Sequence, residues 1–301
     1  MNTPTYRGRF APSPSGPLHF GSLVAAVASY LDARSRNGAW LVRMEDLDRP
    51  RVARGAGDDI LRTLEACGME WDGPVVYQST RIEAYHRALH ELRRRDALYP
   101  CACSRREIAD SAIAGIEGYV YPGTCRQGTP EARGARSWRV RTAGAHIAFD
   151  DAIQSRLEQD IERQIGDFVL YRADGIYAYQ LAVVVDDAEQ GITDIVRGAD
   201  LIDSTPRQIL LQQLLRLPSP RYAHVPVAVN AHGEKLSKQT YASPVQREQA
   251  SHALCKALRF LGQAPPNTLA GANVRELWTW AIAHWDLERV PRTRSAAAIV
   301  F

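Results

Sequence analysis

Four groups of residues in this chain have the types and spacing to do chemistry: a histidine at a helix mouth, two lysines on a polar loop, a glutamate closing an apolar run, and three clustered cysteines. In Arg9-Phe10-Ala11-Pro12-Ser13-Pro14-Ser15-Gly16-Pro17-Leu18-His19-Phe20-Gly21-Ser22, a β-prone segment runs into a loop crowded with Pro, Ser and Gly, which opens into an apolar-periodic segment. Strand, tight loop and helix start, in that order, leave amide N–H groups and the positive end of a helix dipole facing outward, which attracts phosphate. His19 stands at that mouth, where an imidazole can donate to a phosphate oxygen. Far downstream, Lys235-Leu236-Ser237-Lys238-Gln239 places two ammonium groups on a loop, mobile point charges suited to a polyphosphate. Cys101-Ala102-Cys103 with Tyr121-Pro122-Gly123-Thr124-Cys125 supplies three thiols and a phenol. Structural zinc takes a closed tetrahedron of soft donors; Tyr121, Tyr119, Asp110 or a water could be the fourth. Five cysteines, an odd number with three together, argue for metal ligation over a disulfide framework, with Cys67 and Cys255 left as ordinary buried thiols.

The elements that must position these groups alternate as strand and helix. Residues 21–36 carry Leu23, Val24, Val27 and Leu31 at helical spacing and stop at Asn37-Gly38, a left-handed cap. The apolar run 39–46, which turns acidic at its end, then makes a βαβ unit, with Glu45 at the carboxyl end, where ligands of such sheets lie. Residues 55–67 and 79–96 read as helices, the second supported by Ser79 with Glu83. From about 97 to 172 the sequence is rich in Gly, Arg and Pro and the alternation breaks, which marks an insertion. Within it, 137–141 and 146–149 read as antiparallel strands, and Asp174-Gly175 marks a hairpin. The run 181–187 reads as a buried parallel strand that resumes the sheet. A helix with a capping box and Pro at its start covers 205–215, and a strand covers 222–229. Helical patterns at 246–261 and 273–285 follow. The expected fold is therefore α/β: a Rossmann-type parallel nucleotide-binding sheet in two halves (1–96 and 179–240), an inserted zinc-bearing α+β subdomain (97–178) and a short helical C-terminal region (241–301). With 45% apolar residues the chain can bury a sizeable core, and a net charge of +3 is only a mild basic lean toward an RNA partner. No apolar run reaches membrane-spanning length and residues 1–10 lack an apolar signal core, so a cytoplasmic monomer without membrane contact is expected.

Paired, the His19 loop and the Lys238 loop resemble the HIGH and KMSKS signatures of class I aminoacyl-tRNA synthetases. The wording of 9–16 with Leu41-Val42-Arg43-Met44-Glu45-Asp46-Leu47-Asp48 narrows the resemblance to the glutamyl/glutaminyl branch, from about Arg7 to about Gln239. It implies ATP, with Mg2+, as a substrate that activates L-glutamate to an acyl-adenylate. By the same resemblance, Arg9, Ala11, Ser13, Glu45, Tyr179 and Arg197 bind glutamate. His19, Gly21, Ser22, Lys235 and Lys238 bind ATP, His19 and Lys238 being the catalytic pair. Gln239 replaces the usual serine, and Val183 stands where asparagine is common, which implies a lost polar contact in the pocket. The cysteine and Tyr121 wording is similar to zinc-bearing, truncated members, with one structural zinc. About sixty residues follow Gln239, too few for a separate anticodon-reading domain. That shortness resembles the glutamyl-queuosine tRNA(Asp) synthetases, which activate glutamate without tRNA and pass it to the queuosine base in the anticodon stem-loop of tRNA(Asp). A minimal glutamyl-tRNA synthetase charging a 3′ end and a non-catalytic tRNA-binding paralogue are the alternatives. Arg105, Arg106, Arg126, Arg136, Arg139, Arg141 and Arg221 are expected to hold RNA phosphates.

Overall fold

In the computed structural model, which describes residues 5–111, 113–116, 118–129, 134–230, 232–236 and 243–298, the chain begins with the βαβ unit its pattern demands. β1 (Arg7–Phe10) and β2 (Ala39–Met44) are parallel, Arg7 opposite Ala39 and Phe10 opposite Val42, and α1 (Phe20–Arg34) crosses between them. Ten of the residues of α1 are buried, and Leu23, Val27 and Leu31 lie wholly out of solvent. The turn after it needs Asn37 at φ 52° and a glycine at 38, because a Cβ there would lie 2.7 Å from both the side chain and the carbonyl of Tyr6. α2 (Ala56–Ala66) follows Gly55 at φ 73° and carries Asp58 and Asp59 in its first turn, facing the positive dipole end. β3 (Val76–Tyr77) extends the sheet beside β2. α3 (Ile82–Arg94) starts later than expected, because Ser79 does not cap it: its N–H and hydroxyl donate to the Asp46 carboxylate at 2.8 and 2.6 Å.

The middle of the chain holds β4 (Leu98–Cys101), α4 (Arg105–Ser111), β5 (Ile113–Gly115), β6 (Gly118–Val120), β7 (Ser137–Val140), β8 (His146–Asp151), β9 (Ser155–Asp160), α5 (Ile161–Gln164) and β10 (Val169–Tyr171). β7 is the middle strand of an antiparallel trio with β4 and β10, and β5 and β6 form a hairpin. β8 pairs antiparallel with β9 and reaches out to a later strand, Asp151 lying opposite Tyr222. The turn at Asp174-Gly175 forms as expected, with Arg172 N–H donating to the Ile176 carbonyl at 2.9 Å, but its return arm is short.

That brevity leads to the main correction. Residues 181–187, expected to be a parallel strand, lie in α6 (Tyr179–Glu189). Every residue from Gln180 to Asp187 is buried, so no polar stripe marks the helix, and a buried helix and a buried strand give the same apolar string. The sheet resumes one element later, at β11 (Asp194–Gly198). This strand lies beside β1, Thr193 N–H donating to the Arg7 carbonyl at 3.0 Å, and runs parallel to β12 (Arg221–Val225) through five residue pairs. Between them α7 (Thr205–Leu215) has proline in its first turn as expected, but no capping box: its cap residue is Ser204, and the Thr205 hydroxyl is used elsewhere. The expected strand 222–229 is broken at Pro226 into β12 and β13 (Val227–Val229). α8 (Ala250–Phe260) and α9 (Val274–His284), the latter with an Asn273–Glu276 capping box, pack on α1, and β14 (Ser295–Ala297) pairs with β13. Trp278 packs on Tyr30 and donates from Nε1 to the Cys67 carbonyl at 2.7 Å. Among the described residues two large cores result, one around α1, β1, β2 and the C-terminal helices, the other around α3, α6 and α7, with a small third cluster at Tyr99, Cys101, Tyr121 and Cys125. Among the described residues no helix is long and apolar enough to cross a membrane.

Candidate functional site

A cleft of about 610 Å³ opens at the carboxyl ends of β1, β2, β11 and β12, where parallel sheets of this winding hold ligands. One wall brings together Arg9, Ala11 and Ser13 from β1 and its loop, Glu45 beyond β2, Tyr179 at the start of α6 and Arg197 on β11. The other brings His19, Gly21 and Ser22 at the start of α1 against Lys235. Lys238, with Ser237 and Gln239, lies outside the described residues.

The floor of the glutamate-bearing wall is a buried charge network. Arg9 donates from Nε and Nη2 to the two oxygens of Asp187, at 3.2 and 3.3 Å. Arg43, fully buried, sets Nη1 2.8 Å from Asp187 and Nη2 3.5 Å from Glu45 Oε1. Asp186 beside it takes donors from Gln78, Tyr85 and Arg81 at 2.8, 2.8 and 2.5 Å. Burial works against the ionised Asp187, yet Arg43 and Arg9 hold its carboxyl below the usual range. Glu45 goes the other way: burial outweighs Arg43 and Arg9 and pushes it up to about 7. Its Oε1 and the Arg43 Nη2 are buried without a hydrogen-bond partner. Arg43 meets that oxygen's charge at 3.5 Å without a hydrogen bond, so the acid on the cleft wall can still take a donor. Arg43, Asp186 and Asp187 were not singled out in the sequence; the available signal was charge inside apolar runs, since a buried charge needs a partner.

Arg197 is fixed along one edge. It donates from Nε to His224 Nε2 at 3.1 Å and from Nη2 to Thr205 Oγ1 and Gln208 Oε1 at 2.7 and 2.8 Å, while Nη1 is buried without a partner. A guanidinium held in this way presents its remaining donors to an acidic ligand. Burial also raises the Tyr179 phenol, which therefore stays protonated and available as a donor. Val183, one turn after Tyr179 on α6, is buried in the second core.

At the helix mouth, His19 is the cap of α1: Nδ1 accepts from the Ser22 N–H at 3.3 Å and Nε2 lies 3.1 Å from the Ser22 hydroxyl. A Cβ on Gly21 would come within 3.3 Å of both the His19 ring and the Leu236 carbonyl, so glycine lets the lysine loop close onto the helix start. Lys235 Nζ is 2.5 Å from Asp200 Oδ2.

The cysteines converge separately. The Sγ atoms of Cys101, Cys103 and Cys125 lie within 4.8 Å of one another, those of Cys103 and Cys125 3.6 Å apart. Zinc–sulfur bonds of about 2.3 Å at tetrahedral angles require ~3.8 Å between sulfurs, so the set fits a metal ion. Tyr121 Oη lies 3.4 and 3.5 Å from the sulfurs of Cys101 and Cys103 and accepts the Cys125 N–H at 2.9 Å. Tyr119, a competing donor in the sequence, is exposed, and the side chain of Asp110 lies outside what the structure describes. Burial raises the Cys101 thiol, but Tyr121 and the Arg139 guanidinium, 3.3 Å away, bring it down to about 7.

Of the arginines expected to hold RNA phosphates, Arg139 is buried on Cys101 and the Asp167 carbonyl. Arg126, Arg141 and Arg221 are engaged by Asp167, Asp96 and Asp194, because these long side chains tie the insertion and the sheet edge together. Arg105, Arg106 and Arg136 are exposed.

Residues 5–268 match the family of class I tRNA synthetases (E and Q), catalytic domain. The chain is similar to a glutamyl-Q tRNA(Asp) synthetase of Dechloromonas aromatica, 61% identical over 294 residues and covering 97% of each chain. A synthetase of the same description from Chromobacterium violaceum is 57% identical over 291 residues, again 97% of each, and one from Pseudomonas aeruginosa is 54% identical over 290 residues, 96% of this chain and 97% of the relative. Among solved structures, a glutamate tRNA ligase of Elizabethkingia meningosepticum in complex with its amino acid aligns with a TM-score of 0.81 at 25% identity, over 98% of this chain and 67% of that one. Methionyl-tRNA synthetase of Mycobacterium tuberculosis shares the fold at a TM-score of 0.59 and 13% identity, over 87% of this chain and 64% of that one.

Proposed function

The chain belongs to the class I tRNA synthetase family of the glutamyl and glutaminyl branch, and from that premise we propose that it activates L-glutamate with ATP, without tRNA, and transfers the glutamyl group to the queuosine base in the anticodon stem-loop of tRNA(Asp). The observation that carries the first half is that one wall of the cleft brings together a buried acid and a buried guanidinium whose Glu45 Oε1 and Arg197 Nη1 have no hydrogen-bond partner. Glutamate offers one ammonium and two carboxylates, and Glu45, Arg197 and Arg9 match that charge pattern, with Tyr179, Ser13 and the backbone at Ala11 completing the enclosure. The relatives' description supports the second half.

In the reaction an oxygen of the glutamate α-carboxylate attacks the α-phosphorus of ATP, and the bond to the β-phosphate oxygen breaks to release pyrophosphate. Charge builds on the α-phosphate and the leaving group, so donors aimed there accelerate the step. His19, with Gly21 and Ser22, lines the helix mouth against the triphosphate; Lys235 and Lys238 supply positive charge from the loop, and Mg2+ accompanies the triphosphate. A hydroxyl of the queuosine cis-diol then attacks the mixed anhydride and AMP leaves, so the acceptor changes while the adenylate chemistry does not. Cys101, Cys103, Cys125 and Tyr121 hold one structural zinc, remote from these steps. We read 1–96 and 179–240 as the two halves of the catalytic domain, with 97–178 inserted, and the substrates put its work in the cytoplasm. Exposed arginines 105, 106 and 136 are the surface contacts for the RNA.

The test is a pair of assays on the wild-type protein. Glutamate-dependent ATP–pyrophosphate exchange without tRNA is expected, followed by transfer of labelled glutamate to tRNA(Asp) from queuosine-containing cells and not to tRNA(Asp) from queuosine-lacking cells. Equal charging of queuosine-free tRNA(Glu) would return the protein to ordinary 3′-end charging, and no exchange with any amino acid would leave it a binding protein.

A further inference from the structure

We propose that Asp151 and His224 are a positioning pair for Arg197, setting the guanidinium edge that meets the substrate. The proposal rests on the reading of Arg197 as a glutamate contact. His224 lies on β12 and Asp151 at the end of β8, so the pair joins the sheet to the β8–β9 hairpin. All three side chains are almost fully withdrawn from solvent, at 4% exposure or less. His224 Nε2 has two polar neighbours, Arg197 Nε and the Thr205 hydroxyl, each 3.1 Å away. Arginine only donates, so His224 Nε2, 3.1 Å from Arg197 Nε, must accept. The ring proton is then on Nδ1, which faces Asp151 Oδ2 at 2.6 Å. Asp151 Oδ1 in turn takes the backbone N–H groups of Ile153, Gln154 and His224 at 3.0, 2.8 and 3.2 Å. A carboxylate tied to three amides orients an imidazole, and the imidazole holds the guanidinium by its Nε edge. Thr205 and Gln208 fix Nη2, which leaves Nη1, buried and without a partner, as the donor still to be met.

The charged groups facing His224 are Asp151 from β8, Arg197 from β11 and Asp200 beyond it, while the rings of Tyr222 and Phe149 pack against it at 6.2 and 6.5 Å. Burial above all, with Arg197, lowers the imidazole to about 4, so it remains the neutral acceptor throughout the neutral range. A second N–H on this ring, at Nε2, would face the Arg197 N–H and leave only the Thr205 hydroxyl to accept it.

Two substitutions divide the ring into its halves. His224→Gln can place an oxygen where Nε2 sits and keep the acceptor for Arg197; His224→Asn can keep a donor to Asp151 but not that acceptor. In glutamate-dependent pyrophosphate exchange, His224→Asn and Asp151→Asn are expected to raise KM for glutamate roughly ten- to a hundredfold with KM for ATP within about threefold, while His224→Gln stays near wild type. Equal KM for glutamate in the Gln and Asn variants, or KM values for both substrates rising together, would overturn the pair. A measurement free of any variant uses 15N-labelled histidine in the wild-type protein. Long-range proton–nitrogen NMR at pH 7 should find His224 protonated on Nδ1 and bare on Nε2, and the opposite tautomer would overturn the proposal. Absence of glutamate exchange in the wild type would instead defeat the reading of Arg197 as a substrate contact, with the tautomer still testing the pair.

Discussion

In the cleft, each functional charge is held by partners drawn from across the chain: Arg9 and Arg43 meet on Asp187, and Arg197 meets His224 from another strand. The cysteine cluster draws all its groups from residues 101–125, and their polar contacts are largely with one another and with Arg139. The first site is set by the finished fold and keeps its open groups in place because the neighbours are buried and paired. The second is a short loop closure whose members, without an ion, offer only weak thiol and phenol bonds. On the proposed function, geometry built by long-range pairing would serve selectivity, and geometry built locally would serve as a clip on the insertion.

The sharpest way to separate them is to damage each and read both activity and stability. Arg197→Lys keeps the charge but loses the fork, and kcat/KM for glutamate in exchange should fall on the order of 10²-fold or more with the metal content unchanged. A fall of less than threefold would break the contrast, since the cleft would then not depend on its fixed edge. Metal loss should do the reverse. Cys103→Ser, or chelation of the wild type, should remove about one zinc per chain by elemental analysis and lower Tm by several degrees, with exchange changed less than about threefold. Cys255→Ser, a buried thiol beside the Leu269 carbonyl, should leave the metal in place.

The smallest effect is a dependence on pH. Glu45 must be ionised to take an ammonium, and its pKa stands at about 7, so KM for glutamate should fall as pH rises from about 6 to 8, by up to about tenfold. Glu45→Gln should flatten that profile. The same raised pKa has the opposite sign for stability. Between the unfolded value and about 7 the folded chain holds the extra proton, so this group's contribution to stability is full at low pH and is lost as pH rises through 7. A wild-type profile rising in the other direction would show that Glu45 is not the ammonium site.

Residue order carried much of the first half of the cleft. The loop from Arg9 to Ser22 and the run to Glu45 are short-range features, and a strand–loop–helix order has few ways to fold. The second half was less legible. Leu181-Ala182-Val183-Val184-Val185 is apolar and rich in β-branched residues, yet it lies in a helix buried all round, whose Asp186 and Asp187 anchor Arg81, Arg43 and Arg9. Their partners lie about a hundred or more residues away, a separation that local propensity does not register. Asp151 and His224 were hidden for the same reason: each looks ordinary on its own strand, and only the pairing of Asp151 with Tyr222 brings them together. Likewise, the arginines of the insertion read as one basic surface, whereas Arg126 and Arg139 are spent on Asp167.

Strand β13 is shared. On one side Val227–Val229 pairs with β14, and Ala298 N–H donates to the Val229 carbonyl at 2.8 Å; on the other, Val229 bridges to Lys235 and Leu236 N–H donates to the Ala228 carbonyl at 2.8 Å. For anyone building a fusion or attaching the protein to a surface, the two ends of the chain are therefore unequal. A tag joined after residue 298 leaves from β14, whose neighbour β13 holds Lys235 and Leu236. One joined ahead of Tyr6 leaves from the amino end of β1, on the side of the sheet away from the cleft.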